Sequence, residues 1–260
     1  MKISISIDVE QDLHSTNYNS LWKGIPLLLG LLNKHNIKAT FFVPAKLLER
    51  FPEFFKSLEN QGHEIALHGY KHERFDDLSF EEKEKRIKES IGIYKKIFNK
   101  NPDGFRAPQH SIDEKTLKIL EQNNFLYDAS YTPFNILQLL FFPKRFLFFI
   151  HGFFSYRKIK KINKEFYEVP TSSFIIPFVS IPLRVFPWIL LKFYLNILRL
   201  TNKDLIFYAH SWDFIQLPKS KIDRYFSYRR LLRNLDKTIF YLNKKNKFLT
   251  INKLIKNENT

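Results

Sequence analysis

The sequence predicts an α/β fold built on a parallel sheet. Short apolar runs alternate with helical patterns through the first half of the chain, and several of those runs end directly in polar or titratable residues. Lys2–Asp8 alternates polar and apolar residues as a strand does, and Leu21–His35 carries Leu27, Leu28, Leu31 and Leu32 at helical spacing. Ala39–Val43 is the second strand. A helix over about Lys46–Asn60 follows, opened by Pro44 and closed by Gln61-Gly62. Glu64–His68 is the third strand. Ser79, with Glu82 three residues on, reads as a capping box that starts a long charged helix reaching about Asn99. Gly104–Arg106 is a short strand, Ser111 and Glu114 repeat the capping pattern ahead of a helix over Thr116–Gln122, and Tyr127–Ser130 is the fifth strand.

Regularity breaks between about 131 and 203, where Phe-, Leu-, Ile- and Pro-rich segments (Phe134–Phe154 and Phe174–Leu200) are interrupted by Lys144, Arg145, Arg184, Lys192 and Arg199. No charge-free run reaches the roughly 18–20 residues that span a bilayer. These segments fit either helices packed over the sheet or an element lying in a membrane interface. Order returns with a buried strand at Asp204–His210, a basic helix over about Lys221–Asn243 and a short strand at Phe248–Ile251. We read residues 1–260 as a single domain with an irregular apolar and basic insertion at about 131–203.

The chain has 260 residues, 44% of them hydrophobic, which is enough for a sizeable core and excludes general disorder. With no cysteine, disulfides, thiolate metal sites and cysteine nucleophiles are excluded. Residues 1–128 hold 19 Lys+Arg and 19 Asp+Glu. The remainder holds 23 and 7, so the whole net charge of +16 lies in the second half. By charge alone such a surface suits nucleic acid, anionic lipid headgroups or an acidic substrate, or serves only solubility; of these, nucleic acid is not the expected partner. The strand-like start lacks the pattern of a signal peptide, so the expected location is the cytoplasm, at the inner face of the membrane.

Candidate chemistry gathers at the ends of the predicted strands, where α/β folds place their sites. The first strand delivers Asp8, Glu10 and Asp12, the third His68 and His72, the fourth Arg106, and the strand from Leu205 ends in His210. Two imidazoles four residues apart converge if the backbone after Leu67 makes a helical turn. With one carboxylate they would form a site that leaves positions open for water and substrate. Strand alternation puts Asp8 and Glu10 on the same face. His14, His110 and His151 read as loop residues, and His63 as structural.

Five stretches in order carry a resemblance: Ser6-Ile7-Asp8-Val9-Glu10, Ala39-Thr40-Phe41-Phe42-Val43, Gly62 to His72, Phe105-Arg106-Ala107-Pro108 and Phe207-Tyr208-Ala209-His210. The chain resembles the polysaccharide deacetylase (NodB-homology) family, in the subgroup with an Asp-Val-Glu first motif. The likeness is close from residue 1 to about 130 and resumes near Leu205. It implies a distorted (β/α) barrel and metal-dependent removal of an N-acetyl group from an amino sugar, with one divalent ion, zinc first among the candidates. By position, Asp8 would be the general base and Arg106 its orienting partner. Glu10, His68 and His72 would hold the metal, with Asp12 in reserve as third ligand, and His210 would be the general acid. Tyr70, Pro108 and Trp212 would stand beside the substrate. The usual Asp-Trp motif between strands five and six is missing, which leaves Asp128 or Asp213 to tune His210.

The expected substrate is an N-acetylated poly- or oligosaccharide, lipid-linked if the basic, aromatic second half meets anionic membrane. The alternatives are hydrolysis of a cyclic amide or ureide on the same barrel, and a saccharide- or membrane-binding module with a vestigial site.

Overall fold

The computed structural model describes residues 1–13, 15–133, 158–163, 165–217, 225–244 and 246–257. The strands are β1 (Lys2–Asp8), β2 (Thr40–Val43), β3 (Glu64–Leu67), β4 (Gly104–Phe105), β5 (Tyr127–Asp128), β6 (Lys160–Lys161), β7 (Tyr167–Glu168), β8 (Leu205–His210) and β9 (Lys247–Phe248). They form one sheet in the order β6-β7-β5-β4-β3-β2-β1-β8, with β9 also pairing β1. Every pairing is parallel except β6 with β7. The helices between them are α1 (Ile25–Lys34), α2 (Ala45–Arg50), α3 (Pro52–Asn60), α4 (Phe80–Phe98), α5 (Glu114–Gln122), α6 (Ser180–Val185), α7 (Trp188–Thr201), α8 (Tyr228–Asn243) and α9 (Ile251–Lys256). This is the distorted (β/α) barrel expected.

Strand alternation divides the core in two. Ile3, Ile5 and Ile7 of β1, with Phe41, Ile65, Leu67 and Phe207 of its neighbours, join the large outer cluster packed against the helices. The intervening residues face the other side, where Phe42, Ala66, Tyr127 and Ile206 form a smaller inner cluster. Ser4, Ser6 and Asp8 therefore share the inner face of β1, and Tyr208 and His210 that of β8. His68, one residue beyond Leu67, follows the same parity. The register pairs Asp8 with Phe42 on one side and with His210 on the other, so the C-terminal edges of the central strands are level where polar residues appear.

Several local expectations are corrected. The helix expected over Lys46–Asn60 is two helices, because Pro52 cannot continue the first and Phe51 sits at φ −132° between them. The capping box at Ser79 is present, and α4 ends at Asn99 in the left-handed region. α5 is capped by Asp113, whose carboxylate accepts from the Thr116 N–H at 2.8 Å. Ser111 instead accepts from the Phe75 N–H and donates to the Pro108 carbonyl. The short last strand is Lys247–Phe248, and Thr250 begins α9 where an extended segment was expected. Within the segment expected to be irregular, residues 180–201 form α6 and α7. Residues 134–157, with Phe134–Phe154, His151, Lys144 and Arg145, lie outside the described residues, as do His14 and 218–224 at the expected start of the basic helix.

Candidate active site

Glu10, His68 and His72 present one donor atom each, all within 4.8 Å of one another. His72 Nε2 lies 2.9 Å from Glu10 Oε2, and His68 Nε2 lies 3.4 Å from Glu10 Oε1 and 3.6 Å from Asp8 Oδ2. Neither Nε2 atom has a hydrogen-bond partner although both are buried, so the rings approach the carboxylates without the alignment a hydrogen bond needs. His68 Nδ1 is 2.8 Å from the Arg106 carbonyl oxygen, which can only accept. Nδ1 therefore carries a proton and Nε2 is the nitrogen turned to the cluster, the arrangement of a metal-binding imidazole held by a backbone carbonyl. Two orphaned imidazole nitrogens and a carboxylate at this spacing fit a divalent ion.

The imidazoles do not converge through a helical turn. Gly69 (φ 72°) and His72 (φ 77°) both lie in the left-handed region, and the segment between them bends. Gly69 is required twice over: a side chain there would be strained at that φ, and a Cβ would stand 3.0 Å from Pro108 and 3.1 Å from Phe75. His72 has no such exemption as a non-glycine residue and is held in an uncommon conformation beside Glu10.

Asp8 and Arg106 form a buried pair. Asp8 Oδ1 accepts from Arg106 Nη1 at 2.8 Å, while Nη2 donates to Ser6 Oγ at 3.0 Å and Nε to the Ala129 carbonyl at 2.8 Å. The guanidinium also lies over the Phe42 ring, 4.0 Å from its centroid. Burial would raise the Asp8 carboxyl, but Arg106 first, then His68 and His210, outweigh it and hold Asp8 below the usual carboxylate range. Glu10 is likewise lowered: burial opposes ionisation, and His68, His72 and His210 overcome it.

His210 faces the cluster from β8. Its Nε2 lies 2.7 Å from the Tyr208 hydroxyl and 3.8 Å from Glu10 Oε1, and its ring stacks on Trp212 at 4.0 Å and 13°. Nδ1 faces Asp213 Oδ2 at 3.7 Å, and the same oxygen accepts from the His210 N–H at 2.9 Å. Burial works against the imidazolium, yet Asp213, Glu10 and Asp8 together raise the His210 pKa. Of the two residues expected to tune His210, Asp213 is the one beside it. Asp128 instead binds the N–H and hydroxyl of Ser130 at 2.9 and 2.7 Å. Burial raises its pKa, and burial with the Asp128 charge raises that of Glu168 well above the usual range.

Asp12 is not beside the imidazoles. Its oxygens accept from the Asn19 and Ser20 N–H groups at 2.8 and 2.9 Å and fix the loop after β1, which leaves Glu10 as the adjacent carboxylate. Pro108 is buried against Gly69 and supports the histidine loop where a place beside the substrate was expected. Tyr70 sits on the outer side of that loop, its ring flanked by Lys46, Lys71 and Arg86. His63 is structural, accepting from the Ala39 N–H at 3.1 Å, and burial lowers its pKa to about 4. Tyr208 joins the site without having been singled out from the sequence, although its i, i+2 relation to His210 on a strand puts both on one face. His110, expected as a loop residue, packs beside the site: its ring meets Tyr208 edge-on at 5.2 Å and its Nδ1 lies 2.7 Å from the Ser130 carbonyl oxygen.

A family model described as polysaccharide deacetylase matches residues 13–127. A peptidoglycan deacetylase-like protein of Gibberella zeae is 38% identical over 109 residues, 41% of this chain and 32% of its own length. The peptidoglycan deacetylase of Helicobacter pylori is 33% identical over 118 residues, 44% of this chain and 40% of its own. The chain thus covers well under half the length of these relatives. Among solved structures, a Mycobacterium smegmatis protein assigned to the polysaccharide deacetylases superposes with a TM-score of 0.71 at 19% identity, over 98% of this chain and 89% of that one. The allantoinase PuuE does so with a TM-score of 0.69 at 16% identity, over the same shares. At those identities the likeness is one of fold. Over residues 13–127 the chain is similar to the polysaccharide deacetylases, and the fold that carries this stretch is the one those solved structures share.

Proposed function

We propose that this chain is a divalent-metal-dependent amide hydrolase that removes the acetyl group from an N-acetylated amino sugar of a poly- or oligosaccharide. One observation carries the reading: a His-His-carboxylate cluster with unpartnered imidazole nitrogens lies between a buried carboxylate, Asp8, and a third histidine, His210, at one sheet edge. Glu10, His68 and His72 would hold the ion, and two imidazoles with one carboxylate make zinc the first candidate. When bound, the metal polarises the amide carbonyl and brings the pKa of water toward neutrality.

The protein's own groups handle the protons. Asp8, held ionised by Arg106, accepts a proton through Oδ2 from the water that attacks the carbonyl carbon. Arg106 occupies Oδ1, so Oδ2 is the oxygen turned toward His68 and the cluster. As the carbon–nitrogen bond breaks, His210 Nε2 gives its proton to the departing amine, with Asp213 behind Nδ1 favouring the charged ring. Acetate and a free amino sugar result. The stacked Trp212 restricts the His210 ring and walls the space beside it.

The deacetylases among its relatives support an N-acetylated saccharide substrate. A lipid-linked sugar is the form that the basic, aromatic second half of the chain favours. The test is acetate release from free and lipid-linked N-acetyl saccharides by zinc-reconstituted protein, beside His68→Ala and His210→Ala. Wild type should release acetate. His68→Ala should lose metal and activity, and His210→Ala should keep metal and lose about 10²–10⁴-fold in kcat. Full metal content and full activity in His68→Ala would refute the assignment. Ring opening of a cyclic ureide without acetate release would move the function to the allantoinase-like alternative, and tight saccharide binding without turnover to a vestigial site.

A further inference from the structure

We propose that the outer face of α7 and α8 is a docking platform for an anionic lipid surface. α7 buries Leu191, Tyr194, Leu195 and Leu198. A helix on a protein surface normally turns polar residues to water on its opposite face. Here that face carries Ile189, Phe193 and Leu200, which are 81%, 66% and 87% exposed and stand four and seven residues apart along one stripe. α7 contains no carboxylate.

The neighbouring helix supplies charge at the same surface. On α8 and at its C-cap, exposed Arg233, Lys237, Phe240 and Lys244 follow one another at intervals of four, three and four residues, so they share one side. The two helices meet at Tyr241, whose hydroxyl donates to Asn196 Oδ1 at 2.7 Å and whose ring lies 6.2 Å from that of Trp188. Lys192 and Arg199 lie over the Tyr241 ring at 5.5 and 6.0 Å, Lys237 over Trp188 at 5.7 Å and Lys244 over Phe240 at 5.1 Å. Cations therefore lie in the same layer as the aromatic rings, beside a stripe of aliphatic and Phe side chains. That is the composition of an interfacial helix: apolar groups for the acyl boundary, Trp and Tyr at headgroup depth, and Lys and Arg for phosphate. Among the described residues none of these five cations is in an ion pair, and the one carboxylate of α8, Asp236, is bound to Lys34 and His35.

Charge complementarity selects this occupant. A second copy meeting the face about a two-fold axis would set the same cations against themselves. Nucleic acid would satisfy the charges and leave Ile189, Phe193 and Leu200 in water. No described helix is long and apolar enough to cross a bilayer, so the platform lies on the surface of the membrane. The proposal is independent of the chemistry at the sheet edge, because none of its residues belongs to that site.

Co-sedimentation of the full chain with phosphatidylcholine vesicles, with and without about one third phosphatidylglycerol, tests it. The wild type should bind the anionic vesicles, bind neutral ones far less, and be released by salt. Neutralising Arg233, Lys237 and Lys244 to Gln should lower the partition constant about fivefold per residue, roughly a hundredfold together. The double variant Phe193→Ser/Leu200→Ser should lose binding while keeping its circular dichroism and its stoichiometric uptake of zinc. No binding to anionic vesicles at low salt would overturn the proposal. So would binding that neither variant weakens, or a solution dimer that the double variant dissociates.

Discussion

Glu64 offers the sharpest quantitative test of the packing, because two opposing effects act on one buried group. It stands at the first position of β3, where Thr40 Oγ1 and the Asn252 N–H donate to Oε2 at 2.7 and 3.1 Å and the Tyr127 hydroxyl lies 2.8 Å from Oε1. These contacts favour the carboxylate, but burial outweighs them and raises the pKa from 4.5 to about 7. A group whose folded pKa lies above its unfolded one contributes stability that is fully present below the unfolded value. That stability is lost as pH rises through the folded value. Over the interval from 4.5 to about 7, at 1.36 kcal/mol per unit, about 3 kcal/mol is at stake. Glu64→Gln removes the titration and keeps an acceptor for Thr40 and Asn252, with its amide turned to the Tyr127 oxygen. Urea unfolding of both proteins from pH 4 to 8.5 isolates the term. The stability of the wild type relative to the variant should fall by about 3 kcal/mol between pH 4.5 and 8. A difference that stays level across the range would show that Glu64 is ionised throughout and that its three neighbours dominate.

Two further substitutions probe the frame around the site. Arg106→Met keeps bulk but leaves Asp8 buried without its partner; a stability loss of about 3–5 kcal/mol is expected in denaturant unfolding at neutral pH, shrinking as the pH is lowered and Asp8 protonates. Gly69→Ala should cost about 1–3 kcal/mol in the same assay and weaken zinc binding measured by calorimetric titration, since a Cβ at φ 72° meets Pro108 and Phe75 and displaces the loop that carries His72.

Much of this arrangement was legible in the sequence because it depends on parity and order. Asp8 and Glu10 share a face by alternation, and polar residues that end parallel strands must meet at one edge, so the distances among Asp8, Glu10, His68 and His210 were foreseeable as proximity. What brings His72 into that group was not legible. Its approach depends on left-handed backbone at Gly69 and at His72 itself, and nothing in the side chain of a histidine announces a positive φ. The split at Pro52 was readable from the residue but was overridden by the longer helical period around it. Choosing Asp213 over Asp128 beside His210 required the turn after β8, where the Asp213 carboxylate folds back onto the His210 N–H. The face of α7 shows the limit of composition: its apolar residues looked alike in sequence, and only packing divides Leu191, Leu195 and Leu198 inside from Ile189, Phe193 and Leu200 outside.

The placement of β1 has a consequence for how the chain is made. Ile3 through Asp8 pair with Leu205 through His210, about two hundred residues later in synthesis. At roughly 5–20 residues per second, β1 leaves the ribosome on the order of 10–40 s before its β8 partner. Through that interval the nascent first half can pair β1 with β2 and fold β3 to β5 onto them, while the other edge of the seven-residue β1 stands open. His210, the proposed general acid, is the last part of the constellation to be translated, so a half-made chain holds Glu10, His68 and His72 but lacks the histidine that faces them from β8. Closing the edge of β1 and bringing His210 beside Asp8 are the same event.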